Sequence, residues 1–236
     1  MCCPTTITPF KELEPVIELI TADEKLSCSI RKLSDLRSAL ENGLVYFTLA
    51  CTTENLIYQG KAMQLPKISP EKITQLIEKS KQDFTVGLTR ARKFFYGACY
   101  YEETKEYALC MFMLQQATET IFRSVAIAFY GSEKRTHSIR SLKKFNHRLA
   151  PQLNEVFPGG SPDEERLLQL LEDAYLEARY NLQYEISKVD LDLVSSRVFR
   201  LLELAEAVFE SKMQVTAVVI SQTPEAGSQV LTRTSL

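Results

Sequence analysis

The sequence has only two histidines, His137 and His147, among 236 residues. Its six cysteines are Cys2, Cys3, Cys28, Cys51, Cys99 and Cys110, and only the first two lie close together. There is no CxxC and no Cys/His pair at metal-ligand spacing, which argues against a zinc site. No metal and no cofactor are expected. The scattered thiols read as reduced cysteines of a cytoplasmic protein, with Cys99 and Cys110 packed in helices. No apolar run approaches the roughly 20 residues of a membrane span, and no membrane association is expected. The first six residues, Met1 to Thr6, lack the charged start and apolar core of a signal peptide. The formal net charge of -2 excludes a generally basic nucleic-acid binder, although it leaves room for a local patch. GxGxxG, GxxxxGK[ST], GxSxG, HExxH and ExxH are all missing. Phosphate loops, hydrolase elbows, zincins and di-iron bundles are therefore not indicated. Gly131-Ser132 has no downstream Asp-x-Asp and is no nucleotidyl-transfer motif.

Helical periodicity is what the sequence does have. With 45% hydrophobic and 25% charged residues, it has the composition of a soluble globular protein. The central stretch runs from Glu102 to Tyr130, free of Gly and Pro until Gly131 stops it. Its polar residues Gln115, Gln116, Glu119, Thr120, Arg123 and Ser124 fall on one side at about 100° per residue. Such a helix belongs at the centre of a bundle. Its polar stripe is either a buried network or one wall of a site. Before it, Ser69 and Pro70 form an N-cap and first helical residue, and the spacing predicts a helix from Pro70 to Ala98, with a turn at Tyr100-Tyr101. After it come a short helix from Thr136 to Phe145, a loop at residues 158–162, and a long helix opened by Ser161-Pro162 and reaching Ile186. A last helix is predicted from Val189 to Met213.

The first part of the chain mixes signals. Residues 15–21 have a strand's apolar content, residues 29–42 have helical spacing closed by Gly43, and residues 44–51 suit either a strand or a helical turn. The expected class is mainly α: an up-and-down bundle of four or five helices with a small N-terminal α/β segment. The expected division is residues 1–66, 67–215 and a disordered tail at 216–236.

Three features carry candidate chemistry. Glu119 and Arg123, spaced i, i+4, form at the least an intrahelical ion pair worth about 0.3–0.5 kcal/mol at a surface. With Gln115 and Gln116 they could line a cleft. His137 follows the loop before the short helix, where Thr136 or Ser138 can cap. The stripe Asp173, Glu177, Tyr180 and Tyr184, flanked by Arg179 and Gln183, offers a Tyr/Arg wall able to stack a base and grip phosphate, or else to pack at an interface.

The run Leu114-Gln115-Gln116-Ala117-Thr118-Glu119 with Arg123, then Thr136-His137-Ser138, then Ala178-Arg179-Tyr180, resembles the HEPN domain family over about Ser69 to Met213. The resemblance implies an all-α bundle, often a homodimer, working beside a small nucleotidyltransferase. Many members resemble toxin-type ribonucleases with Arg-x(4–6)-His on the third long helix. Here Arg179 is followed at that distance by Tyr184, which cannot act as an acid or base near neutrality without a large pKa shift. Arg140 and His147 satisfy the spacing, but on the short helix. Residues 13–62 resemble the end of a minimal nucleotidyltransferase domain without its catalytic motif. The expected function is a nucleotide- or RNA-binding regulatory module with a site built from Gln116, Glu119, Arg123, His137, Arg179, Tyr180 and Tyr184. One alternative is a metal-independent ribonuclease using Arg140 and His147. The other is a structural bundle in which Gln116, Glu119 and Arg123 form a closed network.

Overall fold

A computed structural model describes residues 2–3, 31–42, 44–51 and 69–222, together with Pro15 and Asn55. The strand reading of residues 15–21 lies outside them except for Pro15, which is helical. Gly43 and residues 56–58 also lie outside. At the N-terminal end, β1 (Cys2–Cys3) pairs in parallel with β2 (Arg31–Lys32), leading into α1 (Leu33–Glu41) and α2 (Val45–Ala50). The ambiguous stretch 44–51 is thus a helical turn.

Ser69 opens α3 (Pro70–Glu103), its hydroxyl accepting the Lys72 N–H at 3.3 Å, with Pro70 in the first turn where its missing donor costs nothing. The helix passes the expected end at Ala98 because Tyr100-Tyr101 contains no breaker. The turn comes at Thr104-Lys105 instead. Thr104 Oγ1 donates to the carbonyls of Tyr100 and Tyr101, and Lys105 adopts φ 62°. Glu103 therefore closes α3, and α4 (Tyr107–Tyr130) starts four residues later. Gly131, at φ 75°, ends α4 in a left-handed cap. Glycine has a second use there: an added Cβ would lie 2.3 Å from Leu44 Cδ2, so Leu44 seats the N-terminal segment directly on the end of α4.

α5 (Ile139–Asn146), capped by the Ser138 hydroxyl, leads into a 3₁₀ turn (Pro151–Val156). α6 (Pro162–Tyr180) starts as the Ser161-Pro162 pair requires and stops six residues before Ile186. Asn181 leaves the helix because its side chain does what the backbone would have done. Its oxygen accepts the Gln183 N–H at 3.0 Å, and its amide donates to Glu177. α7 (Lys188–Gln222) follows, with Ser187 accepting the Asp190 N–H. It continues past both Met213 and the expected boundary at residue 215. No Gly or Pro interrupts it, and the buried Thr216 bonds the Lys212 carbonyl.

α4 is the hub, packed against α3, α5, α6 and α7, as its nearly continuous burial requires. Phe84 of α3 stacks on Phe209 of α7 at 3.9 Å, and Phe129 of α4 meets the same ring at 5.5 Å. Offset aromatic contacts of this kind tie three helices together. Leu36, Leu40 and Phe47 make a smaller cluster against Tyr130. The polar stripe of α4 is consequently roofed by the loop 131–138 and by α6.

Candidate functional site

Glu119 lies under that roof with its side chain only 8% exposed. Gln115 Nε2 donates to its Oε2 at 3.2 Å, Arg123 Nη2 approaches Oε1 at 2.9 Å, and His137 Nδ1 lies 3.1 Å from Oε2. A carboxylate this deep needs such company, because an unpaired buried charge is strongly unfavourable. The loop is fastened to the same network. Gln115 Nε2 also donates to the His137 carbonyl, Arg123 Nη2 donates to the Thr136 carbonyl at 2.9 Å, and Arg123 Nη1 meets Glu133 at 2.8 Å. Gln116 donates to Gln115 Oε1 at 2.6 Å and so stands one step behind. Burial works against the Arg123 cation, but Glu133 and Glu119 outweigh it and hold the group protonated above its ordinary range. Arg123 is thus engaged on both edges and positions the loop.

Above the network His137 is half exposed. Its ring stacks on Tyr175 at 4.1 Å and 14°. The Arg179 guanidinium lies 4.2 Å from the centre of that tyrosine ring, and its Nε donates to the Tyr175 carbonyl at 2.6 Å. Two planar groups cannot share one face at those separations, so Tyr175 is sandwiched. The result is a column His137–Tyr175–Arg179, with Tyr180 75% exposed beside Arg179 at 4.9 Å. With Nδ1 turned to Glu119, the other ring nitrogen of His137 is the one free for a ligand. Arg179 has no carboxylate partner among the described residues, so its terminal nitrogens remain available to an anion.

Tyr184 points inward, donating to the Leu170 carbonyl at 3.2 Å, and burial raises its phenol well above the usual range. It packs and does not face the column. Arg140 and His147 do not share a partner. Arg140 meets Glu165 and Gln169 of α6, and its backbone N–H donates to Glu172, whereas His147 faces Asn154. An open groove of about 440 Å³ lies elsewhere, between α3 and α7 over Phe84 and Phe209.

Tyr175 and Glu133 were missed by the reading of the sequence. Tyr175–Arg179 did carry a signal, an aromatic and a cation four residues apart on one helix. Glu133 carried none, since only the loop conformation brings it to Arg123.

Residues 86–215 match the family model described as HEPN domain. The span covers α4, α5, α6, the second half of α3 and most of α7. The chain belongs to the HEPN family. No curated protein matches it. The HEPN domain is associated with nucleotide- and RNA-related roles, and the α4 network and the His137 column both lie inside the matched span. No helix among the described residues is long and apolar enough to cross a membrane.

Proposed function

We propose that this HEPN bundle, residues 67–215, is a nucleotide- or RNA-binding regulatory module whose ligand sits on the His137–Tyr175–Arg179 column. The observation that carries this reading is the half-exposed imidazole held in one orientation by the buried Glu119, beside an arginine that has no carboxylate partner among the described residues. Arg179 grips phosphate, His137 supplies a fixed donor or acceptor, and Tyr180 offers an open ring for a base. Gln115, Gln116, Glu119 and Arg123 hold the loop and leave ligand contact to the residues above. The module acts in the cytoplasm as a homodimer beside a nucleotidyltransferase. The exposed Tyr96, Tyr100, Leu193 and Phe199 on α3 and α7 supply apolar surface for such contacts.

The test is isothermal titration with uridine and adenosine monophosphates. Arg179→Ala and His137→Ala should each weaken binding at least about tenfold, on the order of the 1.4 kcal/mol of one charge-assisted hydrogen bond. Tyr184→Phe should bind like the parent. Equal binding by all three variants would sink the assignment.

A further inference from the structure

Residues 133–148 hold six cationic side chains and one acid. Some of these cations are accounted for. Arg140 pairs with Glu165, and Lys143 donates to the Phe157 carbonyl. The others make no ion pair among the described residues. Lys134 reaches the Ser141 hydroxyl at 2.8 Å, placing its ammonium over α5. Ser141, Lys144 and Arg148 recur at i, i+3, i+7 and share one face of that segment. Arg148 is held by rings, 4.5 Å from the centre of Phe145 and 4.8 Å from that of Tyr130. Arg31, from the N-terminal segment, lies 5.1 Å from the same Tyr130 ring.

Two guanidinium groups gathered on one tyrosine, with two lysines in line and no carboxylate among the described residues to balance them, repel one another. The arrangement is favourable once an anion with repeated charges lies along it. Aromatic faces fix the two arginines without consuming their outer donors, which suits phosphate. The stripe begins beside the proposed ligand column, since Lys134 precedes His137 by three residues.

The geometry points to a track for the phosphate backbone of single-stranded RNA, running from His137 through Lys134, Lys144 and Arg148 to Arg31. It rests on the proposed ligand column for the placement of one unpaired nucleotide, and it extends that site to a polymer. A single strand fits better than a duplex because the column offers room for an unstacked base.

The experiment is fluorescence anisotropy of the full chain with a labelled oligouridylate of about 12 nucleotides, with uridine monophosphate as competitor, over a series of salt concentrations. The oligomer should bind at least about tenfold tighter than the mononucleotide at low salt. Four phosphate contacts predict a slope of log K against log salt of about -3 for a single strand. The double variant Lys134→Gln, Lys144→Gln should flatten that slope by about 1.4 and leave mononucleotide affinity unchanged. Oligomer binding no tighter than the monophosphate, or a slope untouched by the double variant, overturns the track. So does equal binding of an RNA duplex, or of polyglutamate with the same lysine dependence, the latter assigning the surface to an acidic protein. If the oligomer binds with the expected slope but the monophosphate does not bind at all, the track stands and the column fails.

Discussion

His137 Nδ1 lies 3.1 Å from Glu119 Oε2, although eighteen residues separate them. The contact joins a loop residue to the hub helix and sets which ring nitrogen faces outward. It also places a buried carboxylate between two positively polarised groups, since Arg123 approaches the other oxygen.

Glu119→Gln should therefore cost stability. The amide keeps the shape but cannot compensate Arg123, which retains Glu133 and the Thr136 carbonyl. A loss of about 1–3 kcal/mol is expected in urea unfolding, the usual penalty for a buried group deprived of its partner. An unchanged midpoint would show that the network contributes nothing to holding the loop.

Gly87 should not accept a side chain. A Cβ there would lie 2.1 Å from Ser124 Oγ and 2.7 Å from Ser124 Cβ, so α3 and α4 would have to separate. Gly87→Ala should lose about 1–3 kcal/mol through overpacking. Adding Ser124→Gly should restore part of that loss in a double-mutant cycle. Strict additivity of the two changes would refute the close approach.

Cys110 is fully buried, and burial pushes its thiol from an ordinary value near 9 up to about 12. In the native protein it should resist iodoacetamide at mildly alkaline pH and react once the chain is unfolded in urea. The folded state keeps a proton there that the unfolded state has lost. Stability from this group is full below about pH 9 and declines as pH rises toward 12. Rapid alkylation of Cys110 in the native state would contradict the packing.

Arg197 of α7 meets Glu164 of α6 through both nitrogens, and that contact holds the Glu164 carboxyl below its ordinary range. The sign is the reverse of the thiol's. Stability from the pair is present above about pH 4.5 and is lost as pH falls below it. Arg197→Met should flatten the acid limb of stability against pH. Identical acid limbs for parent and variant would remove the pair as a contributor.

The helix starts at Pro70 and Pro162 were legible because their signals are local, whereas those at Tyr107 and Ile139 lie five and three residues beyond the expected Glu102 and Thr136. Ser69-Pro70 and Ser161-Pro162 carry their own caps, and Gly131 carries its own stop. The periodicity that made α4 the hub needs only the sequence spacing. The ends at Glu103 and Tyr180 were not legible. They depend on side-chain bonds from Thr104 and Asn181, whose strength is decided by what surrounds them. In the site, Gln115, Gln116, Glu119 and Arg123 of the α4 stripe were visible as a group for the same periodic reason, and so were His137 and Arg179 as separate candidates. Which of them face a ligand was decided only in three dimensions. Loop 131–138 folds back so that Glu133 and Thr136 engage Arg123, and α6 crosses so that Tyr175 comes to lie between His137 and Arg179. No spacing along the chain encodes a contact made between elements, because crossing angles and loop paths result from packing the whole core.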